Sequence, residues 1–371
     1  MARGTKASSL KVLTGTPKQH GLTFPAEWER HSATWFSWPR PEGISFPGRY
    51  HKVVPHLVKL ISEVAKREPV HMNVPNENYE RIVRELFGAM SKKITFHHIM
   101  TNESWCRDHG PAFVVKGKQF AIVDWGFNAW GGKYPPYDSD DAVPTRIAEE
   151  FTAKKVKGFA GIFYPKHKSI PVIMEGGAVE FSGDGVVMTS ESCLLNKNRN
   201  PNLTKKQIEN YLCEYYGQRH VLWLGDGIVG DDTDGHIDDL ARFIGPRTIV
   251  TTVEEDPRDE NYKLLQDNLR RLQKAKHPDS GSYDIVTIPM PGHVEIEGQR
   301  LPATYANFYF VNGAAIVPTY GHRTNDKRAL STLADALKAC GHQREVVGVD
   351  CREVIWGLGA IHCLSQQQPA V

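Results

Sequence analysis

Hydrophobic and polar positions follow one pattern in four stretches of this 371-residue chain: an apolar strand, a tight polar turn and a second apolar strand. They are AFVVKGKQFAIVDW from Ala112, AVEFSGDGVVMTSE from Ala178, ARFIGPRTIVTTVE from Ala241 and NFYFVNGAAIVPTY from Asn307. The pattern therefore recurs about every 65 residues, the spacing of a repeat architecture. The turns KGK, GDG, GPR and NGA sit at equivalent places, as hairpins require.

After each hairpin, apolar residues at three- and four-residue steps predict a helix: PTRIAEEFTAKK, LTKKQIENYLCEYYG, ENYKLLQDNLRRLQKA and RALSTLADALKACG. Thr204 precedes the second of these as an N-cap. A short strand then closes each unit, in SIPVIM, HVLWLG, YDIVTIPM and REVVGVD. The N-terminal region repeats the theme with SATWFSW, the helix PHLVKLISEVAKR and VHMNV, but lacks one hairpin strand. The chain thus reads as α/β, built of five ββαβ units. Repeats either stack in a line or close into a ring. The missing strand favours a ring, with GAIHCLSQ at the far end supplying it and Cys363 lying on that strand. The alternative is a tail packed on the surface. One domain over residues 22–371 is expected behind a loose lead at residues 1–21.

Polar residues gather ahead of each hairpin. SWCRDHGP carries Asp108 and His109, MEGG carries Glu175, DDTDGHIDD carries Asp234, His236, Asp238 and Asp239, and Tyr305 and Asn307 lead into the last hairpin. In a closed ring these addresses converge on the axis, the natural pocket. Each motif also has a plainer reading. Arg107 and Asp108 suit a structural ion pair, and Glu before two glycines is common in loops. Strand alternation through GHIDD would put His236 and Asp238 on one face and Asp239 on the other. A histidine and a carboxylate on one face suit acid/base chemistry or a metal site. His362 beside Cys363 is a poor base for it, because strand neighbours point apart; His236 is the better partner.

Composition narrows the function classes. Net charge is +2 with no long run of one sign, which implies neither nucleic acid nor an anionic membrane. No apolar stretch approaches the ~18 residues of a membrane span. The first 26 residues lack Asp and Glu, a faint likeness to a transit peptide, but without Arg richness. The six cysteines form no CxxC pair and read as reduced thiols, so a cytoplasmic location is expected. Cys193, Cys213 and Cys340 read as structural.

FPAEWERHSATWFSWP, SWCRDHGP, WGFNAWGGKYPPYDSDD, EGGAVEF, TSESCLLNKNRNP, GDDTDGHIDDLARF, YANFYFVNGAAIVPTYG and IHCLSQQQP together resemble the agmatine deiminase and Porphyromonas-type peptidylarginine deiminase family. The resemblance runs from about Leu22 to Pro369. It implies the five-bladed, pseudo-symmetric α/β propeller of guanidine-modifying enzymes. It also implies Cys363 as nucleophile, His236 as acid/base, and Asp108 and Asp238 as holders of the guanidinium, with no metal or cofactor. Trp105, Glu175, Trp130 and Asn307 are candidates for substrate binding. The implied reaction converts agmatine and water to N-carbamoylputrescine and ammonia through an amidino-cysteine, a step toward putrescine. The partner expected is a small guanidine, with a homo-oligomer compatible.

The stretch from Asp124 to Asp141 holds Asp124, Asp138, Asp140 and Asp141 with Trp125 and Trp130, and one Lys. As a pocket loop it suits a distal ammonium by charge or cation–π contact; as a surface hairpin it says nothing. Two stretches depart from the family pattern: GLGAIHC where GGGNIHC is usual, and DGHIDD where NGHVDN is common. The departures bear on substrate choice, leaving peptidylarginine or another guanidine open. Rival readings are a metal-dependent hydrolase using His236, Asp238, Asp234 and Asp108, and a ring that binds a guanidine without turnover.

Overall fold

The structure, a computed structural model, describes residues 9–371. Its sheets are small and separate. Among the described residues, five sheets hold three or four strands each, and three further pairs are two-residue hairpins. Four sheets share one topology: an antiparallel hairpin whose second strand is joined in parallel by the strand that follows a helix. The parallel pairing follows from the crossover helix, since a tight turn can only reverse the chain. These helices are Val143–Ala153, Lys205–Tyr215, Asn261–Lys274 and Arg323–Ala339. Thr204 caps the second, its side chain accepting from the Gln207 N–H while Gln207 answers in a capping box. Such a cap contributes about 1 kcal/mol.

The remaining sheet joins the chain ends. Ser365–Pro369 pairs antiparallel with His31–Ser37, placing Gln366 opposite Trp35 and Ser365 opposite Phe36. His31–Ser37 continues in parallel to Val70–Val74 and then to Ile94–His98. The far end of the chain thus supplies the strand that the first unit lacks. Helix Glu77–Phe87, capped by Asn76, adds the fourth strand, which the repeat did not announce.

Three expectations are corrected. Cys363 is not on the closing strand but on the single turn Ile361–Leu364 just before it. The third strand of the second unit is Phe159–Phe163, not SIPVIM. Lys168 and Ser169 have positive φ, and Pro171 has no N–H to give a ladder, so that segment turns away. It docks instead on Gly126, through Gly126 N–H to Val172 O at 3.0 Å and Met174 N–H to Gly126 O at 3.1 Å. Of the lead expected at residues 1–21, residues 1–8 lie outside those described, and the rest is held. Leu13 N–H donates to Ile162 O at 2.8 Å, and Thr16 caps the turn Pro17–His20.

All six cysteines are free. Among the described residues, no helix is long and apolar enough to cross a membrane.

Candidate active site

In each of the five larger sheets, one edge strand is preceded by polar residues at one structural address. Four of these leads are single helical turns: Cys106–His109 with Asp108, Gly176–Ala178 behind Glu175, Ile237–Asp239 behind His236, and Ile361–Leu364 with Cys363. The fifth is the irregular stretch at Asn307, ahead of Tyr309–Val311. GHIDD is therefore a turn and not a strand. Asp238 and Asp239, expected on opposite faces, converge with Cys363, one ligand atom of each lying within 4.8 Å of the others.

Cys363 Sγ receives the Asn307 Nδ2 amide at 3.0 Å and lies 3.8 Å from Asp238 Oδ2. Burial, then the negative charges of Asp238, Asp239 and Asp108, push this thiol well above its ordinary range. Asp108 is gripped by the Trp130 indole N–H at 3.0 Å and the Gly177 N–H at 2.9 Å. Burial, opposed by His236 but assisted by Asp238, brings its carboxyl up to about 6. Arg107 does not pair with Asp108; it reaches Glu27 Oε2 at 3.2 Å.

His236 is fully buried, and neither ring nitrogen has a hydrogen-bond partner. Asp108 Oδ1 faces Nδ1 at 3.7 Å and Glu175 Oε2 faces Nε2 at 3.9 Å. Burial works against its charge, but Asp108, Cys193 and Glu175 together hold its pKa well above the ordinary value. Glu175 is kept below its usual range, against burial, by Arg199, whose Nε is 2.7 Å away. Gly177 makes the crowding possible. A Cβ there would stand 2.5 Å from His236 Nδ1, 2.9 Å from Asp108 Oδ1 and 3.1 Å from Asp238 Oδ2.

Cys363 and Asp108 line a cavity of about 210 Å³. Trp105, Trp130, Trp356 and Leu358 supply its apolar lining, and Glu103, Asp232 and Tyr134 are part of its polar lining. Among the described residues its lining holds three carboxylates and no basic side chain. Trp105 packs where Gly359 has no side chain; a Cβ at Gly359 would stand 2.6 Å from its ring. Burial raises the Glu103 carboxyl to about 7 against the Ser45 hydroxyl that donates to it. Burial likewise raises Asp232, which accepts from the Tyr134 hydroxyl.

Of the four residues expected to bind substrate, Trp105 and Trp130 line this cavity. Glu175 and Asn307 do not: the first faces His236 and Arg199, the second holds Cys363 and Asp239. The acidic loop also reads differently. Asp140 accepts the Asn102 and Glu103 N–H groups, Asp141 that of Phe127, and Asp124 the Thr145 hydroxyl, while Asp138 is exposed. Trp125 packs on Tyr216. Asp124, Asp140 and Asp141 are thus occupied by backbone N–H groups and a hydroxyl, and the carboxylates that line the cavity are Asp108, Glu103 and Asp232 instead. Asp234, a ligand in the metal reading, is ion-paired with Arg199 and Lys133. Cys193, read as structural, sits behind His236 with its Sγ 4.0 Å from Glu175 Oε2. The position of Asp232, four residues before His236 in an acid-rich stretch, was the available sequence signal; Glu103 left none beyond its closeness to Trp105.

A family model for Porphyromonas-type peptidyl-arginine deiminases matches residues 23–369. The chain belongs to that family. As a member it is an enzyme, a hydrolase of the C–N bonds of linear amidines. A Legionella pneumophila (strain Paris) protein named provisionally as an agmatine deiminase is 33% identical over 358 residues, covering 96% of this chain and 98% of its own. The agmatine deiminase of Enterococcus faecalis superposes with a TM-score of 0.87 at 31% identity, over 98% of this chain and all (100%) of that one. A C. jejuni agmatine deiminase with substrate bound gives 0.82 at 32% identity, over 94% and 96%.

Proposed function

We propose that this enzyme deiminates agmatine, giving N-carbamoylputrescine and ammonia through a covalent cysteine intermediate. The observation that carries the substrate is the cavity itself: its lining combines a thiol, Cys363, with apolar Trp105, Trp130, Trp356 and Leu358 and three carboxylates, Asp108, Glu103 and Asp232, without a basic side chain. A planar guanidinium suits paired charge-assisted hydrogen bonds from Asp108 and Asp238, and a distal ammonium suits Glu103 and Asp232. A C-terminal carboxylate would meet these carboxylates and no basic side chain in the lining. The relatives named as agmatine deiminases support the same reading.

In the free site burial, and then the neighbouring carboxylates, favour the neutral Cys363 thiol. Entry of the substrate cation offsets those charges and favours the thiolate, the proton leaving to water. The sulfur attacks the guanidinium carbon, the C–N bond to the leaving nitrogen breaks, and His236 as imidazolium donates the proton that makes it ammonia. His236, now neutral, takes a proton from water as the oxygen attacks the amidino carbon. The C–S bond then breaks, returning the thiol electrons to Cys363 and releasing the urea-type product. The five sheets, each led by one site residue, correspond in this reading to blades of a ring-like propeller.

The test is ammonia release from agmatine, free arginine and a peptide ending in arginine, side by side with EDTA present. Release from agmatine alone is expected. Release from the peptide instead would retain the chemistry and overturn the substrate; loss of all release on chelation would favour a metal hydrolase.

A further inference from the structure

Behind Asp238 lies a buried charge network that the reaction steps above do not use. His362 Nδ1 stands 2.6 Å from Asp238 Oδ2, and its Nε2 stands 2.7 Å from Glu27 Oε2. Glu27 is held in turn by Arg107 at 3.2 Å, Arg242 at 2.9 Å and the Phe310 N–H at 2.9 Å. All of these side chains except that of Phe310, which contributes only its backbone, are buried polar groups. Burial opposes the charge on Glu27 and Asp238, yet both stay below their ordinary range: Glu27 through Arg242 and His362, Asp238 chiefly through His362. Ionised carboxylates only accept hydrogen bonds, so the His362 ring donates from both nitrogens.

We propose that Glu27 and His362 are positioning residues for Asp238: the doubly donating ring occupies Oδ2 and leaves Oδ1 free for the guanidinium. Asp238 Oδ1 is buried and has no partner in the free protein. A group left in that state is costly unless a ligand completes it. The inference rests on the reading of Asp238 as a guanidinium anchor. It also gives the turn Ile361–Leu364 a second purpose, since neighbouring residues on it serve the thiol and the anchor at once. The charged and titratable groups facing Asp238 are His362, His236, Arg242, Asp239, Asp108 and Cys363. Without His362, burial works against the charge on Asp238 with His236 and Arg242 left to oppose it.

Two substitutions separate positioning from packing. His362→Asn retains a donor where Nδ1 stands and gives up Glu27; His362→Gln retains one where Nε2 stands and gives up Asp238. We expect His362→Gln to raise KM for agmatine about tenfold more than His362→Asn, the worth of one buried hydrogen bond to a charge. Its acidic limb of kcat/KM should move to higher pH, while that of His362→Asn stays near the wild type. A ring that only fills space predicts the reverse order, with the smaller Asn worse and neither limb moved; that result would overturn the proposal. A second measurement needs no substrate. Nitrogen-15 NMR of the intact wild-type protein at neutral pH should show two protonated nitrogens on the His362 ring, assigned by its change in Glu27→Gln. One protonated nitrogen would overturn the relay. Absence of turnover on agmatine by the wild type would instead defeat the substrate reading and leave the NMR result to decide this one.

Discussion

Asn307 donates its amide to Cys363 Sγ at 3.0 Å, and its carbonyl accepts the His362 N–H at 3.1 Å and the Cys363 N–H at 3.4 Å. One side chain thus holds both the sulfur and the turn that carries it. Asn307→Asp keeps the shape but adds an anion beside Asp239 and the thiol. The thiol should become harder to ionise, so alkylation of Cys363 by iodoacetamide at pH 8 should slow about tenfold. An unchanged alkylation rate would show that the amide contact does not influence the sulfur.

Cys363→Ala should release no ammonia from agmatine while its thermal midpoint stays near the wild type, because burial and the carboxylates around it favour the neutral thiol, so that its removal breaks no ion pair. Residual turnover in a clean preparation would dismiss the nucleophile assignment.

Anchoring a cation requires Asp108 ionised, and burial has raised its carboxyl to about 6. kcat/KM for agmatine should therefore rise with pH through about 6. Trp130→Phe removes a donor that favours the charged form, so its acidic limb should shift to higher pH. A limb that stays in place would exclude Asp108 as the group it reports.

Glu103, held up at about 7 by burial, becomes a stronger partner for an ammonium as it ionises. KM for agmatine should fall as pH rises through about 7. Glu103→Gln should lose that dependence and raise KM about tenfold at pH 8, with kcat little altered, since the Glu103 carboxyl bonds to Ser45 and to neither Cys363 nor His236. A change confined to kcat would place Glu103 elsewhere in the mechanism.

Gly177→Ala should be folded and inactive. The added carbon would stand 2.5 Å from His236 Nδ1, displacing the ring or the carboxylates around it. Circular dichroism matching the wild type together with full activity would show that the ring yields at no cost to the reaction.

How much of this was legible in the sequence varies residue by residue. Hairpin turns such as the one at Gly117 and the cap at Thr204 are local events, governed by which backbone angles and donors a short peptide can satisfy. They were readable, as was the recurring address of Asp108, Glu175, His236, Asn307 and Cys363, because a repeat preserves position even where residue type changes. SIPVIM misled because its apolar pattern is that of a strand, while its missing N–H and its positive-φ neighbours show their effect only against a real partner strand. The acidic loop misled for a related reason. Asp140 and Asp141 look available in the sequence, yet each is taken by backbone N–H groups from Asn102, Glu103 or Phe127.

By itself the sequence determined the periodicity of the elements and the chemical types available: a thiol, a histidine and carboxylates at equivalent points of successive units. Which atoms meet was decided by the tertiary structure alone. Glu27, His362 and Asp238 are far apart in the chain, and Glu103 and Asp232 lie on different units, so no local pattern records that they converge. A carboxylate's protonation and purpose follow from burial and from its partners' charges. Both arise only when the last strand, Ser365–Pro369, docks on the first, His31–Ser37, and joins the chain ends at the site.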